Sequence, residues 1–188
     1  MDTHRAIALL LSPVTIAAIS SLGVYAMYPD LLSLIVSFLL IVICPVANVV
    51  RKSLSGEMDI LVPDRYARGP FFAQAIACYS VATVVLTSLG SCPMAVLSLS
   101  YLAVTLAVAV INHCATKVSV HMAGLAGPAA FLMILGNYPL GVLLMALVPV
   151  LAWSRWRSGS HTFGQILLGI VVSVLITSAT CLVAWSLK

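Results

Sequence analysis

The sequence predicts an all-α fold, a polytopic membrane helical bundle with six to seven transmembrane helices. Hydrophobic residues make up 62% of the 188 residues and charged residues only 7%, and the mean hydropathy is +1.16. A soluble domain carries about 25% charged residues, so this composition suits lipid as the solvent. Long apolar segments alternate with short polar breaks, and their number gives the count of crossings.

Seven apolar segments follow one another along the chain. The first, 6–27, is long enough to cross a bilayer, so it is predicted to be a retained helix rather than a cleaved signal peptide. The others are 31–50, 70–89, 93–112, 121–136, 139–153 and 162–187. The fifth and sixth are short for spanning helices, which leaves the count at six or seven. We interpret residues 1–188 as one integral-membrane domain without a separate soluble part.

The basic residues are distributed unevenly between the two ends of the predicted bundle. With seven crossings, the N-terminus and the breaks at 51–69, 113–120 and 154–161 share one face and carry eight of the nine lysines and arginines. The positive-inside rule then predicts that this face is cytoplasmic. We expect the bilayer as a partner and no nucleic acid. The five scattered cysteines contain no close CxxC pair, which argues against a disulfide framework or a zinc site.

Three polar clusters on this face hold the candidate functional residues. They are Asp64, Arg65 and Arg68, then Lys117, Ser119 and His121, then Ser154, Arg155 and His161. Such groups beside hydrocarbon are costly unless they pair with something. Arginine forks match phosphate oxygens, and an imidazole can attack phosphorus. Taken alone, the first cluster also fits a segment that anchors to anionic lipid head groups. The second cluster, taken alone, also fits a histidine that packs at the membrane interface. Their convergence favours a phosphate site, with Ser160 predicted to cap the last helix.

The third cluster resembles a motif of the type 2 phosphatidic-acid-phosphatase superfamily of membrane lipid phosphatases. That motif is Ser-Arg, five residues, His, three residues, Asp. This chain has Ser154, Arg155 and His161 at the same spacing, but Gln165 replaces the aspartate.

The first two motifs of the superfamily are matched in part. Its Pro-Ser-Gly-His retains Ser119 and His121 here. Its Lys, six residues, Arg-Pro is reduced to Arg68 followed by Gly-Pro, with Leu61 at the lysine position. The similarity covers about residues 59–169 and resembles small, divergent prokaryotic members, archaeal ones included.

The resemblance implies a metal-independent phosphatase without a cofactor that acts on a lipid phosphate. His161 would be the nucleophile that forms a phosphohistidine, and His121 would protonate the leaving group. Arg155 and Arg68 would hold the phosphate, joined by Ser119 and by Arg65 or Lys117 in place of the missing lysine. Ser154 would support the site. Gln165 can orient the His161 ring but carries no charge, and we hypothesise that Asp64 or Asp59 supplies it.

The substrate class and two alternative functions remain open at this point. An isoprenoid or glycerolipid phosphate monoester or diphosphate fits the short loops. A prenyltransferase or CDP-alcohol phosphotransferase would use aspartate-rich magnesium motifs, and the chain has no Asp-x-x-Asp pair. The degraded motifs also fit a catalytically impaired protein that binds or transports a lipid phosphate on the same scaffold.

Overall fold

The protein is described by a computed structural model that covers residues 3–62 and 64–186. Within these residues there is no β-strand, and the predicted all-α fold is confirmed. The described residues form nine α-helices: α1 (Thr3–Leu10), α2 (Pro13–Met27), α3 (Leu31–Ser37), α4 (Ala47–Leu54), α5 (Gly69–Ser88), α6 (Cys92–Cys114), α7 (Val120–Leu135), α8 (Tyr138–Arg157) and α9 (Phe163–Ser186).

Six helical segments of the described chain are long and apolar enough to cross a membrane. They are Thr3–Met27, Leu31–Leu54, Tyr66–Ser88, Cys92–Cys114, Tyr138–Arg157 and Phe163–Ser186. The first joins α1 to α2 across a break at Ser12-Pro13. The second joins α3 to α4 through a π-helical segment, Phe38–Ile43, and a 3-10 turn, Cys44–Val46. Pro45 lies in that turn, and its missing N–H is one reason that the α-helical ladder does not continue there.

The short helix α7 lies at the centre of the bundle. Ten of its 16 residues are buried, and it packs against α2, α8 and α9. Its N-terminal half contacts Pro13 through Gly124, while Asn137 beyond its C-terminus donates from Nδ2 to the Gly23 carbonyl at 3.1 Å. It therefore runs parallel to α2. At 1.5 Å per residue α7 is about 24 Å long, less than a ~30 Å hydrocarbon core. Neighbouring helices cover it, so it does not need the length of a lipid-facing helix.

Helix α8 is longer than the sequence suggested. The apolar segment ends at residue 153, but the helix continues to Arg157 and places Ser154 and Arg155, both buried, in its last turn. Ser158 caps the helix, and Gly159 follows with a φ of +66°. A glycine in this left-handed conformation is a common helix terminator. The sixth segment is therefore long enough to cross a membrane, because the helix extends beyond the apolar residues into the polar segment that follows.

The N-terminal helix and the three polar breaks meet at one end of the bundle, as the charge pattern predicted. Arg5 pairs with Asp59 at 2.9 Å. Arg65 donates from Nη1 to the Ala115 carbonyl at 3.3 Å, and Lys117 donates from Nζ to the Ser160 carbonyl at 2.9 Å. These contacts join α1 to the connections between α4 and α5, between α6 and α7, and between α8 and α9, around the candidate residues.

Candidate functional site

Five titratable side chains form what we call the buried cluster: Arg68, Lys117, His121, Arg155 and His161. They come from the start of α5, the 115–119 connection, the start of α7, the end of α8 and the 158–162 connection. Arg68, Arg155 and His161 are only 6%, 4% and 5% exposed. The cluster unites residues from all three regions that the sequence singled out.

Arg68 fastens two connections to each other. Its Nε and Nη2 donate to the Val62 carbonyl at 3.1 and 3.0 Å, and its Nη1 donates to the Val118 carbonyl at 3.2 Å. Val62 has a φ of +43°, which a β-branched residue rarely adopts. The two hydrogen bonds from Arg68 help to hold this conformation. A guanidinium has five N–H groups, so the three bonds leave two of them for a ligand.

Arg155 is the least satisfied cation of the cluster. Its Nε is buried and has no hydrogen-bond partner. In the described residues the one ion pair is Arg5–Asp59, so no carboxylate contacts Arg155 directly. A buried charge without a partner costs several kcal/mol. This geometry is the one expected where a mobile anion completes the site.

Lys117 stands at the edge of the cluster, half-buried, with its ammonium on the Ser160 carbonyl. Burial, and then the charges of Arg68 and Arg155, lowers its pKa, while Asp64 opposes the shift. Asp64 also lies within electrostatic range of Arg68. Asp64 thus offsets the charge of two of the three cationic side chains, which leaves an excess of positive charge that a phosphate dianion would neutralise.

His161 follows the turn that ends α8. Its backbone N–H donates to the Arg155 carbonyl at 3.3 Å, which holds the two residues together. Its Nδ1 is buried without a partner. Burial, followed by the charges of Lys117, Arg155 and Arg68, lowers the pKa of His161 to about 3. The ring is therefore neutral at pH 7, and one of the two nitrogens of a neutral imidazole has a lone pair available.

His121, in the first turn of α7, is oriented by the N-terminal helix. It makes a hydrogen bond to the Ala8 backbone, and its Nε2 is buried without a partner. Since a carbonyl only accepts, the ring proton is on Nδ1, and Nε2 is the nitrogen with a lone pair. The Ala8 carbonyl is free for this bond because Ser12 N–H donates instead to Leu9 at the Pro13 break. This contact was not predicted from the sequence, although Pro13 inside the first apolar segment indicates a break in the hydrogen bonds of the helix.

Gln165 connects α9 to the site through both its backbone and its side chain. Its carbonyl accepts from the Ser119 N–H at 3.3 Å, and its Oε1 accepts from the Thr162 N–H at 3.3 Å. Thr162 Oγ1 in turn accepts from Gln165 N–H at 3.4 Å, which is a capping box. Thr162 rather than Ser160 therefore caps α9. The Gln165 amide also lies beside the His161 ring.

The remaining candidate residues lie around the cluster. Ser119 is fully buried with its Oγ unpartnered, so it is available to a ligand. Arg65 stacks on the Tyr66 ring at 4.6 Å, at the rim. Ser154 donates to the His4 carbonyl at 3.0 Å and holds α1 against α8. Asp59 is paired with Arg5, and Asp64 acts electrostatically on Arg68 and Lys117, but neither carboxylate acts on His161.

An apolar cavity of about 450 Å³ begins at Arg68 and His121. Apart from these two residues its wall is mostly aliphatic and aromatic, drawn from α1, α2, α4 and α5. Its size lies within the range of small-molecule sites, about 300–1,000 Å³. The arrangement joins an anion-binding end to a hydrocarbon-binding body, the two parts that an amphiphilic phosphate has.

Comparisons with protein-family models, with curated proteins and with solved structures found no match to this chain.

Proposed function

We propose that this protein is a membrane lipid phosphatase that hydrolyses a phosphate monoester or diphosphate of an isoprenoid or glycerolipid. The observation that carries the proposal is the buried cluster at the mouth of the apolar cavity, with Arg155 Nε unpartnered beside two histidines. Buried cations without carboxylate partners need an anion. The cavity favours an anion that carries a hydrocarbon chain.

The reaction would proceed in two steps through a phosphohistidine. In the first, a ring nitrogen of neutral His161 attacks phosphorus, and the bond from phosphorus to the leaving oxygen breaks. His121 Nε2 gives that oxygen its proton, provided that a bound dianion has stabilised the imidazolium form. In the second, His121 takes a proton from water, which attacks phosphorus and releases inorganic phosphate and neutral His161.

The cations would act through charge. Arg155 and the two free N–H groups of Arg68 would hold non-bridging oxygens, with Ser119 as a further donor. Lys117 would add positive charge from the edge of the cluster. Because these groups are already fixed by the backbone around them, they would stabilise the charge of the transition state without reorganising. The positive-inside count supports a cytoplasmic orientation of this end as part of the proposal.

The test is phosphate release from a panel of lipid phosphates by purified protein in EDTA, with His161→Ala as the comparison. We expect release that survives EDTA and disappears in the variant. His113→Ala is a matched control, because His113 is exposed at the end of α6 outside the cluster. Activity that requires magnesium, or that persists in His161→Ala, would contradict the mechanism.

A second candidate function is a catalytically impaired protein that binds or transports a lipid phosphate. The observation that favours it is Gln165, whose side chain serves the α9 cap and supplies no negative charge to His161. Vanadate binding without release of phosphate from any lipid would support this function. In that case Gln165→Asp, which restores a carboxylate beside the ring, should raise turnover by about tenfold or more if the site is otherwise complete.

A further inference from the structure

A second, smaller cavity adjoins the inner end of the 450 Å³ cavity. Its volume is about 70 Å³, and Leu97, Val104 and Tyr101 lie on its wall. Five residues line both cavities: Pro13, Phe72, Tyr79, Thr105 and Val120. The two spaces are therefore neighbours, separated by a few side chains. Together they reach from the buried cluster towards the centre of the bundle.

Two aromatic rings form part of the wall of this space, Tyr79 in both cavities and Tyr101 in the smaller one. Tyr79 and Tyr101 pack with their ring centroids 5.4 Å apart, and both are nearly inaccessible to solvent. Interiors packed to native density yield little to an added methylene. This ring pair is consequently a part of the wall that yields little to a chain entering from the cluster.

The narrow space lies where α7 has glycines, Gly124 towards Pro13 of α2 and Gly127 towards Ser173 and Thr177 of α9. Gly124 and Gly127 line the smaller cavity. A Cβ on Gly124 would lie 2.9 Å from Pro13 Cβ, so the two helices are in contact there. Thr105 lines both cavities and therefore stands at the junction between them.

The large cavity also reaches the surface, at the same end of the bundle as the buried cluster. Val50 and Ile60, which line it, are 38% and 37% exposed. They lie at the end of α4 and in the connection that follows. A hydrocarbon chain would thus have an apolar route from the surroundings of the bundle into the cavity, with Arg68 and His121 beside its polar end.

We infer that one hydrocarbon chain of the lipid phosphate extends through the large cavity into the small one, and that Thr105 and the Tyr79–Tyr101 pair determine the longest chain accepted. This inference rests on the proposed function, because the cavities limit the length of the hydrocarbon chain only if the buried cluster holds the phosphate at a fixed position. The occupant is an anionic amphiphile, since the charge at one end is positive and the remaining wall is mostly apolar.

Binding of n-alkyl phosphates with 8 to 18 carbons tests the inference. Thermal stabilisation of the purified protein gives the affinity at each length, and n-alkyl trimethylammonium salts serve as charge controls that should not bind. We expect affinity to rise by about fourfold per methylene, which corresponds to ~0.8 kcal/mol per buried CH₂, and to stop rising at a defined length.

Two variants should move that length in opposite directions. Thr105→Leu adds volume at the junction and should shorten the optimum by about two carbons, whereas Val104→Ala should lengthen it. Thr87→Leu is the matched control, because Thr87 is exposed near the end of α5 and lines neither cavity. If Thr105→Leu does not fold, the chain length at which affinity stops rising in Val104→Ala tests the inference by itself.

The outcomes separate this inference from the proposed function. An optimum that neither variant moves, or that the control moves equally, overturns the inference even when the lipids are hydrolysed. Alkyl phosphates that bind with the expected length dependence but are never hydrolysed support the inference and contradict the phosphatase.

Discussion

Two polar regions at the same end of the molecule differ in the exposure and in the pairing of their charged side chains. In the connection after α4, Asp59 pairs with Arg5 at 2.9 Å, and the two side chains are 37% and 47% exposed. In the buried cluster, Arg68 and Arg155 are 6% and 4% exposed and contact no carboxylate among the described residues. Arg5 and Asp59 form an ion pair at a position where water would also solvate both charges. Arg68 and Arg155 have no carboxylate partner among the described residues, although they are buried away from water.

The difference teaches how to distinguish a binding site from a charged surface. An exposed pair contributes little, because water already solvates both charges. A buried cation has lost that solvation and must be compensated. Arg68 is compensated in part by backbone carbonyls, and Arg155 has its Nε without any partner. Four measurements test this difference between the two regions.

The largest effect is expected at Arg155. Arg155→Met removes the unpartnered cation but keeps most of the apolar stem. Vanadate binding should weaken about 100-fold or more, because the loss of one partner of a buried charge pair costs roughly 2–5 kcal/mol. The variant without ligand should be more stable than the original by about 1 kcal/mol, since the desolvation cost is gone.

Arg157→Met is the matched control for Arg155→Met. Arg157 is exposed and lies two residues further along the same helix. Titration calorimetry with vanadate and thermal unfolding give the two quantities. Equal losses of binding in both variants would show that general positive charge, and not a buried anion site, explains the affinity.

The next effect is a pH dependence of stability. The pKa of His161 is about 3 in the fold against an ordinary value of 6.5, because of burial and the charges of Lys117, Arg155 and Arg68. The unfolded chain therefore takes up this proton first. The contribution of the neutral ring is complete above about pH 6.5 and is lost as pH falls towards 3.

The comparison is the free energy of unfolding of the original protein and of His161→Gln between pH 7 and pH 5. The original should lose roughly 2 kcal/mol more than the variant over this range, because the folded ring stays neutral while the unfolded one becomes charged. Parallel curves would mean that His161 is solvated in the fold and does not belong to the buried region.

A comparable but more local effect is expected at Gly169. A Cβ there would lie 2.7 Å from the Ser119 carbonyl oxygen, so Gly169→Ala forces α9 away from the connection that carries Lys117 and Ser119. We expect a destabilisation of about 1–3 kcal/mol together with weaker vanadate binding. Gly164→Ala, in the same helix with nothing within 4 Å, should be neutral or stabilising by up to about 1 kcal/mol. If thermal unfolding shows the same change in stability for both variants, α9 does not pack closely against the site.

The smallest effect is expected in the exposed region. Arg5→Ala breaks the pair with Asp59 and should cost less than about 1 kcal/mol, with vanadate affinity unchanged. A large loss of affinity in this variant would show that α1 is held by that pair and that the orientation of His121 depends on it.

Some of this organisation could be read from the sequence because it depends on neighbours along the chain or on composition. The hydropathy predicted the bundle, and the distribution of basic residues predicted that three breaks share one end with the N-terminus. The spacing from Arg155 to His161 also brings the two residues together locally, since one turn of chain lets His161 N–H reach the Arg155 carbonyl. These features were accessible without coordinates.

Other features were decided only by the tertiary structure. The partners of Arg68 lie six and fifty residues away, and the partner of His121 lies on the first helix. Ser160 and Thr162 are both plausible caps by residue type, and the position at which α9 begins selected Thr162. Propensity and hydropathy describe each segment by itself. Which carbonyls are left free, which cation remains without a partner and where a cavity opens depend instead on how distant segments pack, because each of these is set by the groups that the rest of the chain places nearby.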